Sequence, residues 1–414
     1  LENSEGGMVM LAWLFALVSL LLAGISLYLV ILAAAACFFK KKIAPQARPR
    51  KLAVVVPAHN EAGQIVATIG TIRNSSYPAT AYGVIVIADN CDDATATEAR
   101  AAGAEVFERS DLVHRGKGQA LDWFLRNHAD TVSAYDGVVV VDADTFIDAN
   151  FLLEISASLS HPEVAVVQGF YGASNPAESW RTALMEAALC VFHHVRPAGR
   201  NRLGGSAGLK GNGMAFRTET LLEYGWPAHS VVEDLEFGTL LLLDGILVHY
   251  NPDAVVRAEM AATRKQAESQ RRRWEGGRLE VLGKLAPSLL RSWIAKRQFR
   301  YFDGFMDLLI PPLSALVLAL IALFIVALLA SSTMAPLLGF ALAGSAFYVF
   351  TGLVLKHAPP AIWLYLAAAP FLILWKIPLY LGMLKGRGAK EWVRTQRKSE
   401  ITRDSETNSP APKN

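Results

Sequence analysis

From Met8 to Phe39 the chain is almost unbroken in apolar residues, and it then turns abruptly to Lys40, Lys41, Lys42, Arg48, Arg50 and Lys51. A helix needs only about 20 apolar residues to cross the hydrocarbon of a bilayer, so residues 1–39 are expected to form a transmembrane anchor. A cleaved leader has a shorter apolar region, preceded by positive charge and ended by a cleavage site, which favours a retained helix. Positive flanks stay in the cytoplasm, and this places the chain after Lys40 on that side. The rest of the composition agrees: the 414 residues have a mean hydropathy of +0.29 and 19% charged residues, too apolar for an ordinary soluble protein. A net charge of +3, from 40 basic against 37 acidic residues, gives no sign of a nucleic-acid partner. Cys37, Cys91 and Cys190 lack metal-ligand spacing and read as small buried or lipid-facing residues.

Residues 52 to about 280 change character. Strand-like runs LAVVVPA, GVIVIAD, GVVVVDAD and VAVVQGF alternate with helix-length segments at 62–73, 94–102 and 117–129. Strands that are apolar throughout are covered on both faces, and strand–helix alternation gives a mainly parallel sheet. The expected fold class is therefore α/β: a doubly wound, mainly parallel sheet on the cytoplasmic side, flanked by transmembrane and interfacial helices. Such sheets bind ligands beyond the carboxyl ends of their strands. Here those ends carry Pro57, His59, Asn60 and Glu61, then Asp89 and Asn90, then Asp142 and Asp144.

The third strand end, GVVVVDADTFID at 137–148, is the most informative. If the chain is still extended there, Asp142 and Asp144 point to one side. Two carboxylates so placed repel each other unless a cation sits between them. Mg2+ takes one or two carboxylates and completes its shell with water and substrate phosphates, and Mn2+ suits the same ligands. The alternative is that the acids start a turn, with Asp148 capping the next helix.

Read together, VVVPAHNE, IADNCDDAT, RGKGQAL, VVDADT, GNGMAFR, VVEDLEFG and QRRRW come in an order and spacing that resemble the family 2 glycosyltransferases of the GT-A fold. The likeness is to the membrane-integrated branch: cellulose, chitin, hyaluronan and poly-N-acetylglucosamine synthases, and ceramide glucosyltransferase. It implies that Pro57, His59, Asn60 and Glu61 form the first donor-nucleotide loop, although a plain strand-to-helix turn would also carry Glu61 near a helix N-terminus. Asp89 matches the first acidic position, which binds the nucleotide, whereas Asp92 and Asp93 read as turn and capping residues. Lys117 matches a cation placed near the donor diphosphate. Asp142 and Asp144 become diphosphate ligands through Mg2+ or Mn2+, Asp144 the more direct. Gly211 and Gly213 match the acceptor-facing floor, where close backbone approach is needed. The resemblance puts the catalytic base at Asp234, beside Glu233, where burial among acids raises proton affinity. The bland reading makes both the acidic first turn of a helix.

Further on, Gln270, Arg273 and Trp274 have the spacing Q-x-x-R-W, which in that family lies on an interfacial helix where the tryptophan stacks on the acceptor sugar and the arginine helps hold the diphosphate. A basic amphipathic helix on a membrane surface is the alternative. His193 and His194 read as packing or surface residues, and RPAGRNR at 196–202 as basic chain that touches lipid headgroups. Residues 312–331 and 335–355 are expected to span, and 361–384 to lie at the interface, because the basic segment from Lys385 belongs inside. EWVRTQR at 391–397 resembles a gating loop, with Trp392, Thr395 and Arg397 closing over bound nucleotide.

The domains expected are therefore the anchor at 1–39, a glycosyltransferase domain at 52–285, membrane helices at 300–384 and a basic tail at 385–414. The resemblance implies a metal-dependent inverting enzyme of a bacterial inner membrane. It would move a hexose or N-acetylhexosamine from a nucleotide sugar, UDP-linked in most of that branch, to a growing polysaccharide. A single-sugar transfer to a membrane lipid is the second option, and a catalytically silent subunit of an export complex the third. Expected partners are the donor, a polysaccharide or lipid acceptor, membrane lipids, and export-complex subunits or a second copy.

Overall fold

The structure is a computed structural model that describes residues 2–45, 48–260 and 264–375; within its helices, the side chains of residues 2–5, 264–273, 372, 373 and 375 are not among them. Eight strands form one sheet: β1 Leu52–Ala58, β2 Tyr82–Asp89, β3 Glu105–Arg109, β4 Gly137–Val140, β5 Thr145–Ile147, β6 Val166–Ala173, β7 Met214–Arg217 and β8 Val248–Ala258. Their order is β3-β2-β1-β4-β7-β6-β8-β5. The first four are mutually parallel, in a register that sets Leu52 beside both Tyr82 and Gly137. β7 runs antiparallel between β4 and β6, β8 is parallel to β6, and β5 is antiparallel to β8. The sheet is thus mixed, with six strands in one direction and β5 and β7 reversed.

The apolar runs explain the two layers. Successive side chains of a strand face opposite sides, so Leu52, Val54, Val56, Val84 and Val86 enter one core with Ile65, Ile69 and Phe151, while Ala53, Val55, Ile85 and Ile87 enter the other with Leu121 and Phe124. The helices Ile65–Arg73 and Phe151–Leu159 cover the first face, and Lys117–Asn127 the second. The strand in GVVVVDAD stops at Val140. Asp142 and Asp144 therefore do not extend a strand: Thr145 N–H donates to the Asp142 carbonyl at 3.1 Å and closes a turn. The residue capping expected of Asp148 is absent too, since its carboxylate pairs with Arg257 and the helix after it has no side-chain cap.

Two helices are long and apolar enough to cross a membrane, Gly6–Ala36 and Ala335–Leu355, and the pair Phe299–Leu309 and Leu313–Leu329 passes the same test as one element bent by 75°. Pro311 and Pro312 occupy the bend and cannot continue a helix ladder. With 17 residues, Leu313–Leu329 reaches only about 26 Å, short of the ~30 Å hydrocarbon core. The N-terminal helix packs on Ala335–Leu355 through small residues: Ser26 Oγ donates to the Ala341 carbonyl at 2.6 Å, and a Cβ on Gly344 would lie 2.8 Å from Val30. Residues 361–375 form short helices, and 376–384 lie outside the described residues.

The segment expected to face headgroups is largely turned inward. Arg200 pairs with Asp303 at 2.9 Å and with Asp307 at 2.8 Å, Arg196 reaches Asp307 at 3.4 Å, and all four side chains are buried. Tyr28 of the N-terminal helix donates to Asp303 at 2.6 Å. Gly199 lies so close to the Leu32 carbonyl that no Cβ fits. One buried ion cluster therefore locks the sheet domain to the N-terminal helix and to the helix Phe299–Leu309.

Candidate active site

The first two strand ends are tied to each other. His59 Nδ1 lies 2.7 Å from the Asp89 carbonyl, and Asn60, held at φ +55°, accepts from Asp92 N–H at 3.0 Å. Glu61 N–H donates to Thr95 Oγ1 at 2.8 Å, and Asp93 accepts from the backbone of both Ala62 and Thr95. Asp93 is thus the turn-making residue expected, and Pro57 is the penultimate residue of β1. The Asp89 carboxylate meets Arg109 at 2.6 Å, with both side chains more than nine-tenths buried. Burial pushes its pKa above the ordinary value, and Arg109 offsets part of that rise.

At the third strand end, Asp142 and Asp144 are half-buried while Ala143 between them is buried in the core. The turn thus leaves both residues with partial solvent access even though the chain is no longer a strand. Thr68 Oγ1 donates to the Ala143 carbonyl at 2.7 Å and anchors the turn from below. Lys117, the first residue of its helix, donates to Asp142 at 2.5 Å and to the Gly211 carbonyl. Burial opposes the charge on Lys117, but Asp142, Glu233 and Asp234 outweigh it and hold its pKa above the usual lysine value. The helix start comes this close because residue 118 is glycine: a Cβ there would sit 2.5 Å from the Ala228 carbonyl and 3.3 Å from Glu233 Cβ.

The loop before β7 completes the floor. Gly211 and Gly213 have φ of +80° and +65°, a region that L side chains avoid. A Cβ on Gly211 would stand 3.3 Å from Asp234 Oδ2, and one on Gly213 would meet Val256 at 2.9 Å. Between them Asn212 is fully buried, donating to Thr145 Oγ1 at 2.7 Å and accepting from Asp142 N–H at 3.3 Å. Gln168 on β6 donates to the Asn212 carbonyl and accepts from Lys210 N–H, both at 2.8 Å. Lys210 is buried with its ammonium 4.3 Å over the Phe192 ring, and burial pushes its pKa down to about 8.

Glu233 and Asp234 open the helix Glu233–Leu243, so they are first-turn acids as well as site residues. Both are half-buried, and burial raises the pKa of each; for Glu233 the neighbouring Asp234 adds to the rise, while Lys117 moderates it for both. The pair shares its acidity, so one proton is held more readily than on a free carboxylate. Glu236 in the same turn is occupied otherwise: it accepts from Ser230 N–H at 3.1 Å and pairs with Lys284 at 2.5 Å. The helix Arg264–Lys296 docks beside them, where Trp274 is half-buried against Val232, Leu242 and Val281, and a Cβ on Gly277 would press Val232 at 2.9 Å. Gln270 and Arg273 lie on that helix with side chains outside the described residues, as do Trp392, Thr395 and Arg397 altogether.

The structure therefore brings Lys117, Asp142, Gly211, Glu233 and Asp234 into one constellation and sets Asp89 with Arg109 at the end of β2, with β1 between β2 and β4. Among the described residues no group of three or more His, Cys, Asp or Glu is placed to hold a metal ion. Asp142 and Asp144 remain as a two-carboxylate pair, a set that suits Mg2+ or Mn2+ only when phosphates and water complete the shell. Sequence reading missed Arg109, Gln168, Asn212 and Lys210. Asn212 was visible between its two glycines; the others have no local motif. His193 and His194 are both buried, hydrogen-bonded to the Tyr171 carbonyl and the Tyr250 hydroxyl at 2.8 and 2.9 Å, so they are packing residues.

The profile described as Glycosyltransferase like family 2 matches residues 49–277. A glucomannan 4-beta-mannosyltransferase 7 from Arabidopsis thaliana is 27% identical over 249 residues, 58% of this chain and 44% of that protein. An N-acetylglucosaminyltransferase from Rhizobium meliloti (strain 1021) is 26% identical over 238 residues, 53% of this chain and 54% of that protein. The chain spans about half the length of these relatives. Among solved structures, the mannosyltransferase PcManGT from Pyrobaculum calidifontis, in complex with GDP-Man and Mn2+, superposes with a TM-score of 0.50 at 20% identity, covering 86% of this chain and 99% of that one, a likeness of fold. The mixed sheet, its acid-bearing strand ends and the profile match agree that this chain belongs to the glycosyltransferase-like family 2, with the GT-A fold.

Proposed function

We propose that the chain is a membrane-bound, metal-dependent, inverting glycosyltransferase that moves a hexose or N-acetylhexosamine from a nucleotide sugar to a growing polysaccharide at the cytoplasmic face of a bacterial inner membrane. The observation that carries this reading is the approach of Asp234 to a glycine floor beside Lys117 and Asp142. Asp234 accepts the proton of the attacking acceptor hydroxyl as its oxygen bonds to the anomeric carbon, and the bond from that carbon to the diphosphate breaks. Lys117 moves from Asp142 onto the departing diphosphate, and Asp89 and the first loop hold the nucleoside. Mg2+ or Mn2+ on Asp142 and Asp144 would supply Lewis acidity to the same phosphates. Trp274, Gln270 and Arg273 would face the acceptor side.

The names of the relatives, mannosyl- and N-acetylglucosaminyltransferases, support the sugar class and a polymer product. GDP-mannose stands beside UDP-sugars as a donor to test, because the similar Pyrobaculum calidifontis structure holds GDP-Man. A lipid acceptor is the second reading, supported by the modest number of spans, two or three among the described residues, available to enclose a polymer. Nucleotide release from membranes carrying the protein, tested with each donor and Mn2+ or Mg2+, decides whether transfer occurs. Product size in the same assay separates polymer from glycolipid, and the absence of donor-dependent release would refute both.

A further inference from the structure

Where the N-terminal helix ends, a cavity of about 380 Å³ opens between the chain at 38–42, the turn at 201–205 and the start of β8. None of the residues of the candidate active site lines it. Its charge is one-sided: Lys40, Lys42 and Arg202 line it, and no acidic residue does. Lys42 pairs with Glu163 at 2.6 Å, but among the described residues no carboxylate lies within ion-pair distance of Lys40 or Arg202. Arg202 ends the same helix whose Arg196 and Arg200 are buried in ion pairs, so it is the arginine of that segment left for an outside partner. His249 also lines it, with its Nδ1 buried from solvent. The rest of the wall is aromatic: Phe39 packs on Tyr250 at 5.8 Å, and Phe38 is 71% exposed beside it.

An apolar aromatic rim next to unpaired cations, at the end of a membrane-length helix, is the chemistry of the headgroup layer. The volume is at the low end of the roughly 300–1,000 Å³ of small-molecule sites, room for a headgroup and not for a whole lipid. We infer that this cavity holds the phosphate of an anionic membrane phospholipid, with Lys40 and Arg202 on the phosphate and Phe38 and Phe39 along the first segment of the acyl chains. The site stands apart from sugar transfer. It would seat the enzyme at a fixed depth through the lipid itself.

Native mass spectrometry of the full chain released from nanodiscs of phosphatidylglycerol mixed with phosphatidylcholine tests this. The wild type is expected to keep phosphatidylglycerol over phosphatidylcholine by about thirtyfold, two surface-charge contributions combined, and Lys40→Gln with Arg202→Gln to bring that ratio close to one. Arg297→Gln with Arg300→Gln, where the helix Arg264–Lys296 gives way to Phe299–Leu309 and outside the cavity, is the comparator and is expected to change retention by less than about threefold. Equal retention of the two lipids by the wild type overturns the inference whether or not the double variant folds. So does an equal loss in the comparator, which would show only the general charge of the face. Glycerol phosphate in solution binding as tightly as the lipid would assign the cavity to a free phosphate and overturn the lipid assignment.

Discussion

Gly211→Ala separates a catalytic placement from a merely folded loop. Gly211 has φ +80°, and an L side chain in that region costs about 1–2 kcal/mol. The added Cβ would lie 3.3 Å from Asp234 Oδ2, tighter than ordinary contact, so the carboxylate has to yield by a few tenths of an ångström. A displacement of about 1 Å costs roughly a hundredfold in rate, so this smaller one predicts roughly a tenfold fall in kcat with the donor KM unchanged. Gly213→Ala is the internal control. It carries the same backbone penalty, and its Cβ meets Val256 at 2.9 Å, away from the acids, so it is expected to lose more stability, roughly 2–4 kcal/mol, with kcat within about twofold of wild type. Nucleotide release gives the rates and denaturant unfolding of the detergent-solubilised protein gives the stabilities. Full kcat in Gly211→Ala, or equal loss of kcat in both variants, would refute the placement of Asp234 against this floor.

Arg109→Leu breaks an ion pair in which both side chains are more than nine-tenths buried, and is expected to cost about 3–5 kcal/mol; Asp89→Leu added to it recovers most of that stability without recovering donor binding, as thermal unfolding and nucleotide titration would show. Lys117→Met removes the cation that Glu233 and Asp234 share and leaves Asp234 only Lys210. Their folded pKa values already stand above the unfolded ones, so each costs stability as pH rises from the ordinary carboxylate range of about 4 towards its folded value. The variant should therefore fall further behind wild type on going from about pH 5 to pH 8, and a constant gap in melting temperature would contradict the assignment. The raised proton affinity of the same pair places the acid limb of the kcat–pH profile above the ~4 of free carboxylates; a limb at or below that value would remove the proton-accepting role. Chelation with EDTA should stop transfer and Mn2+ or Mg2+ restore it, with Asp144→Asn raising the half-saturating metal concentration by at least about tenfold.

The features legible in the sequence are those that are locally specified. β1 begins and ends where LAVVVPA does, because a run apolar on both faces has few other fates. The acids after β4 were visible, but the local backbone was not. The strand stops at Val140, and two residues on Asp142 N–H is taken by the side chain of Asn212, seventy residues away, which no local pattern announces. β5 and β7 are three and four residues long and carry no alternation, so their reversal could not be foreseen from their residues. The prolines at 311 and 312 do mark the bend that splits one membrane element in two. The inward turn of Arg196 and Arg200 was hidden, since their partners Asp303 and Asp307 are more than a hundred residues away and a basic stretch looks the same whether solvated or paired.

The central claim is that Asp234 takes the proton of the acceptor, and it is tested most directly by Asp234→Asn assayed for both donor binding and turnover. The account predicts donor affinity within about threefold of wild type and nucleotide release lowered by roughly a hundredfold or more, the usual scale for loss of a general base. Release at the wild-type rate from the folded variant would contradict it.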